Sequence, residues 1–138
     1  MIVHAFTDGA SRGNPGESGI GIILKREDGN IIRSASGYIG KTTNNVAEYK
    51  ALMACIAMVK LLPCTQLVVF SDSELMVRQM KKVYRVKDND LKKLYALIGK
   101  ELSTAPFSFD IRHIERGLNH EADILANEGI DSRKRLKI

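Results

Sequence analysis

Cysteine and long apolar runs are both scarce in this chain. Cys55 and Cys64 are its two cysteines, too few for a disulfide framework and without the spacing of a zinc site. Two reduced thiols in a cytoplasmic protein are the expectation. The longest helix-like apolar run, Ala51 to Leu62, is broken by Lys60 and is too short to span a bilayer. The N-terminus meets an acid at Asp8, so no signal peptide is expected. Internal repeats are absent, and nothing marks a second domain. What is there is ordinary globular material: 138 residues, 44% hydrophobic and 27% charged. One α/β domain over residues 1–131 is expected, followed by a flexible basic tail over 132–138.

The net charge of +5 is unevenly spread. Residues 1–77 balance seven basic against seven acidic groups. Residues 78–100 carry eight basic and two acidic groups, and residues 101–131 carry two basic and seven acidic. The tail, "SRKRLKI", adds four basic groups. Basic patches suit a polyanion and an acidic cluster suits a cation. A chain with both is suited to binding nucleic acid through a metal.

"IVHAFTD" reads as a strand that stops at an acid and a glycine. "SGIGIILKR" and "IIRSASGYIG" flank Asp28-Gly29-Asn30, a turn that supplies the positive φ of a hairpin. In "TTNNVAEYKALMACIAMVKLL" the period changes. Leu52, Cys55, Ile56 and Val59 form a helical stripe, Thr43, Asn44 or Asn45 caps its start, and Pro63 follows its end. "QLVVFSD" reads as a strand covered on both faces, again ending in an acid, Asp72. Helices over "SELMVRQM" and "LKKLYALIGKEL" follow, then a strand, "FSFDIRHIE". A last helix, "NHEADILANEG", is expected to be capped by Asn119 and stopped at Gly129. The order β β β α β α α β α predicts a mixed five-stranded sheet, three strands antiparallel and the rest parallel, flanked by helices.

Four acids stand out. If the first and fourth strands are parallel neighbours, Asp8 and Asp72 meet at their carboxyl ends, where function gathers in open α/β sheets. Glu48 lies four residues before Leu52 and so continues the apolar stripe toward the sheet. Asp123 falls in the first turn of the last helix. Each has a plainer reading: Asp8 starting a turn, Glu48 closing a capping box with Asn45, Asp72 capping a helix, Asp123 favouring a helix dipole. Four such coincidences at one sheet edge are a weaker account than a hard-cation site for Mg²⁺ or Mn²⁺. The glycine-rich "DGASRGNPG" lacks the lysine and Ser/Thr of a phosphate loop. It reads as a tight reversal that presents Asn14.

"TDGASRGNPG", "TTNNVAEYKAL", "FSDSELMV" and "NHEADILA", in that order, resemble the four signature segments of type 1 ribonuclease H. The resemblance covers all but the tail. It implies the ribonuclease H-like fold and an endonuclease that hydrolyses the RNA strand of an RNA–DNA hybrid by two-metal catalysis, leaving 5′-phosphate and 3′-hydroxyl ends. It implies Asp8, Glu48, Asp72 and Asp123 as metal ligands for two Mg²⁺ or Mn²⁺ ions. It places Gly9, Asn14, Asn44, Asn45 and Ser73 among substrate-binding positions, and Thr43 at a DNA-strand phosphate.

The chain departs from the family pattern in three places. Before the last acid, many members carry a loop histidine, whereas this chain runs "RHIERGLNHEAD". His113 matches by offset but should lie in the last strand, aligning the strand points to Glu115 or Arg116, and His120 reads as a surface residue. Arg116 is the favoured candidate. A Trp-containing basic protrusion is also missing, leaving Arg78, Lys81, Lys82, Arg85 and Lys87 either to track phosphates or to form a solvated face. Glu74 replaces a common glutamine. Two other functions stay open: a relaxed nuclease that also cuts double-stranded RNA, and a non-catalytic nucleic-acid-binding domain. A monomer is expected.

Overall fold

The computed structural model describes residues 1–136. Its elements are β1 (Ile2–Gly13), β2 (Gly16–Lys25), β3 (Ile31–Thr42), α1 (Asn44–Val59), β4 (Gln66–Ser71), α2 (Glu74–Met80), α3 (Asn89–Ser103), β5 (Ser108–His113), a 3₁₀ turn (Arg116–Asn119) and α4 (His120–Ser132). The sheet order is β3-β2-β1-β4-β5. β1, β2 and β3 are antiparallel neighbours, while β4 runs parallel to both β1 and β5. This is the expected five-stranded mixed sheet. Among the described residues, no helix is long and apolar enough to cross a membrane.

Alternation along the strands sorts side chains to two faces. Val3 and Ala5 of β1, with Ile20, Ile22 and Leu24 of β2, join the core cluster formed with α1. Leu52, Cys55, Ile56 and Val59 are buried there, as their spacing predicts. The opposite face of β2 receives α4, and it does so at glycines. A Cβ on Gly19 would lie 2.2 Å from the Ala126 carbonyl oxygen, and one on Gly21 would lie 2.3 Å from that of Ala122. Backbone therefore packs on backbone, which fixes the height of α4 and of the acid in its first turn.

The hairpin turn forms as predicted, with Gly29 at φ +90° and Asn30 N–H donating to Asp28 Oδ1 at 3.0 Å. Thr43 is the residue that caps α1, accepting from the Val46 N–H at 3.3 Å. Two end signals are corrected. Asn119 makes no side-chain cap on α4, and α4 runs past Gly129 to Ser132, where Arg133 at φ +56° ends it. The helix continues because Gly129 lies against the Gly37 backbone, where no side chain fits, and is not a stop. In the tail expected to be flexible, the Lys134 carbonyl accepts from the Tyr38 N–H at 2.8 Å and Arg133 lies 3.0 Å from Glu17. Lys137 and Ile138 lie outside the described residues.

Candidate active site

Asp8 is not at the end of its strand, because β1 continues to Gly13 alongside β2. What ends is its parallel partner: the β1–β4 pairing stops at Thr7 opposite Ser71. Asp8 and Asp72 therefore follow the last paired residues of two parallel strands, and a notch opens beside them. Glu48 enters from the first turns of α1. Carboxylate oxygens of Asp8, Glu48 and Asp72 all lie within 4.8 Å of one another. Asp8 is 5% exposed and Glu48 3%, whereas Asp72 and Asp123 are half-buried.

The plainer readings of Asp8, Glu48 and Asp72 fail on the geometry, since Asp8 lies within β1 and starts no turn. Glu48 closes no capping box with Asn45; its Oε1 accepts from the Gly9 N–H at 2.7 Å. The cap of α2 is Ser73, which accepts from the Met76 N–H at 3.3 Å, so Asp72 is free of that duty. Asp123 does sit in the first turn of α4, and it also faces Asp8, whose carboxyl it helps to raise. Burial, then the Asp72 charge, pushes the Asp8 carboxyl up to about 8; Arg116 opposes this as the smallest influence. Burial first, and then Asp8 and Asp72, raises Glu48 well above the carboxylate range. Buried acids that repel one another in this way match the donor set of a hard divalent cation, whose charge removes the conflict.

The acids line a cleft of about 410 Å³ together with Gly9, Asn44, Ser73 and Arg116. Thr43 stands beside Asn44 as the α1 cap. Asn14 lies close by, its Oδ1 accepting from the Asn44 N–H at 3.1 Å, which leaves its amide N–H groups free to donate. Asn45 is placed elsewhere, in the neighbouring groove with Leu75, Gln79, Arg85 and Lys87. Arg116 reaches the cleft from the 3₁₀ turn, while His113 ends β5 opposite Ser71 and does not line it. Glu74 does not line it either; its carboxylate pairs with Arg78 at 2.9 Å.

Sequence reasoning missed two of the residues that shape this site. Asn119, 1% exposed, donates from Nδ2 to the Thr7 carbonyl at 2.8 Å and to Asp72 Oδ2 at 3.3 Å. The cap position hid this role, since Asn at a helix start already has an explanation. Asn127 lines the cleft and donates to Asp123 Oδ1 at 3.3 Å. Its signal was the i, i+4 spacing from Asp123.

The comparisons agree with this architecture. A family model described as reverse transcriptase-like matches residues 6–129. Ribonuclease HI of Halobacterium salinarum is 38% identical over 94% of this chain and 64% of its own length. Ribonuclease H of Coxiella burnetii is 32% identical over 94% of this chain and 90% of its own. The crystal structure of LC11-RNase H1 in complex with RNA/DNA hybrid superposes with a TM-score of 0.91 at 41% identity, covering 95% of this chain and 98% of that one. The chain spans less than two thirds of the Halobacterium protein and about a third of mycobacterial relatives 37% identical to it, but nearly all of the Coxiella and LC11 proteins. With four signature segments on one sheet edge and relatives aligned along its length, the chain belongs to the type 1 ribonuclease H family.

Proposed function

We propose that this protein is a metal-dependent endonuclease that hydrolyses the RNA strand of RNA–DNA hybrids. The observation that carries the reading is the set of three carboxylates within 4.8 Å, two of them buried, at the point where β4 stops. Asp8, Glu48, Asp72 and Asp123 would hold Mg²⁺ or Mn²⁺, two ions with substrate bound. Bound there, the ions supply an activated water for in-line attack and stabilise the leaving 3′-oxygen, giving 5′-phosphate and 3′-hydroxyl ends.

The chain's own residues do the rest. The Gly9 N–H fixes Glu48, and Asn119 fixes Asp72, so two acids are oriented before any ion arrives. Asn14 and Asn44, joined by a hydrogen bond beside the cleft, would offer their amides to a ribose 2′-hydroxyl, the group that separates RNA from DNA. Thr43, Asn45, Gly9 and Ser73 complete the expected substrate contacts, with Thr43 at a DNA-strand phosphate. Arg116 offers a guanidinium to a phosphate oxygen at the cleft. The exposed Lys81, Lys82, Arg85 and Lys87 extend positive charge beyond Asn45. Both cysteines are buried and unpaired, which suits work in the reducing cytoplasm.

The experiment is cleavage of a labelled 12-mer hybrid with Mg²⁺ or Mn²⁺, comparing wild type with Asp8→Asn, and with duplex RNA and duplex DNA as controls. Cutting of the hybrid's RNA strand alone, lost in Asp8→Asn, supports the proposal. Cutting of duplex RNA as well favours the relaxed nuclease. No cleavage with either metal, or an Asp8→Asn variant as active as wild type, leaves a nucleic-acid-binding domain.

A further inference from the structure

We propose that Arg12 and Asn127 form a relay that fixes the orientation of the Asp123 carboxylate; this rests on the nuclease reading above. The three other acids are held by burial or by a buried donor. Asp123 is different. It projects from a helix, half-buried, toward the like charges of Asp8 and Asp72, and it lies outside the tight group of three. Left alone, its side chain gains by turning toward water.

Asn127, one turn along α4, opposes that turn. Its Nδ2 donates to the Asp123 carbonyl at 3.0 Å and to Asp123 Oδ1 at 3.3 Å. An amide can serve here only if its nitrogen faces the acid, and a flipped amide would set oxygen against oxygen. Arg12 decides the matter. Its guanidinium, a donor only, meets Asn127 Oδ1 at 3.3 Å and the Asn127 carbonyl at 3.5 Å. The other arm donates to Asp131 Oδ1 at 2.5 Å, which holds Arg12 along the helix. With a donor-only group on one side and an acceptor-only group on the other, the Asn127 amide has a single satisfied orientation. Arg12 also precedes the Gly13–Gly16 reversal that carries Asn14, so the relay ties the substrate-facing turn to the acid.

Asn127 and Arg12 are therefore positioning residues, and their removal should act on metal binding and turnover more than on hybrid binding. The test uses Asn127→Ala, Arg12→Ala and the double variant. It measures kcat and KM on the 12-mer hybrid, calorimetric Mn²⁺ affinity of the hybrid-free protein, and Tm in EDTA. Asn127→Ala is expected to lower kcat and Mn²⁺ affinity about tenfold, the scale of a lost partner to a metal ligand. KM should stay within about twofold, and Tm in EDTA should barely move. Arg12→Ala should act in the same direction more weakly, and the double variant should be no worse than Asn127→Ala alone, as coupled residues behave. Wild-type kcat and Mn²⁺ affinity in Asn127→Ala overturn the relay. So does an Arg12→Ala variant that raises KM and adds fully to Asn127→Ala, because Arg12 would then meet the substrate by itself. If the wild type cuts no hybrid, the nuclease reading fails, while the Mn²⁺ titration still decides the relay.

Discussion

The Gly9 N–H donates to Glu48 Oε1 at 2.7 Å, and the space where a Gly9 side chain would stand is filled by the backbone of α1. A Cβ there would lie 2.3 Å from the Ala47 carbonyl carbon and 2.4 Å from the Glu48 nitrogen. Strand and helix thus touch without side chains between them, and the contact sets how far Glu48 reaches into the notch. Gly9→Ala should push α1 outward, at a cost of about 1–3 kcal/mol for overpacking. Thermal melts should show the loss of stability, and hybrid cleavage should fall far more steeply, because Glu48 moves with its helix. A variant with wild-type activity would show that Glu48 needs no such fixed distance.

A second prediction concerns acid and metal together. Asp8 is raised to about 8 and Glu48 is raised with it, so the folded protein binds protons that the unfolded chain has released. Stability of the metal-free protein should therefore fall as pH rises from about 4 through about 8. Divalent cation replaces the protons, so in Mg²⁺ the decline should be reduced or abolished. Asp8→Asn removes one buried charge and should raise Tm in EDTA at pH 8.5, by a stabilisation on the order of 2 kcal/mol, while abolishing cleavage. Melts across pH with EDTA and with Mg²⁺ check both halves; a metal-free stability that rises from pH 5 to 8 would contradict them.

Much of this molecule was legible in its sequence because patterning and chemistry pointed the same way. Leu52, Cys55, Ile56 and Val59 announce the buried face of α1, and Glu48 continues it, so its inward aim could be read from spacing. Asp8 and Asp72 each follow a short apolar run. Harder to read was anything set by close backbone approach or by a residue with two competing uses. Gly19 and Gly21 look like turn formers inside a strand, yet they are the floor on which α4 rests. Asn119 stands where a helix cap is expected and instead turns inward to Thr7 and Asp72. Asn45 shares its sequence motif with Asn44 but opens onto another groove, since successive helical residues point about 100° apart.

Asn119 yields a third prediction. Its Nδ2 joins β1 to Asp72, while its Oδ1 is buried with no partner. Asn119→Ala removes both the useful donor and the unsatisfied oxygen. The net stability change should thus be small, about 1 kcal/mol, because the two effects oppose each other. Activity should fall about tenfold, the effect of freeing a carboxylate that is meant to bind metal. Urea melts beside cleavage assays separate the two quantities. A large loss of stability with proportionate loss of activity would mean that Asn119 serves the fold alone.

Arg116 gives the last prediction. It is the cation that lines the cleft, and its charge pulls Asp8 downward against burial and against Asp72 and Asp123. Arg116→Ala should lower kcat about tenfold to a hundredfold through loss of a donor to the phosphate. It should also move the acid limb of the pH–rate profile upward, since Asp8 then holds its proton to higher pH. Arg116→Lys keeps the charge but not the fork of donors, so it should restore the limb's position while recovering only part of the rate. Profiles of the three proteins at limiting Mg²⁺, where metal and proton compete for Asp8, decide the matter. If both variants keep the wild-type profile and rate, Arg116 neither tunes Asp8 nor meets the substrate.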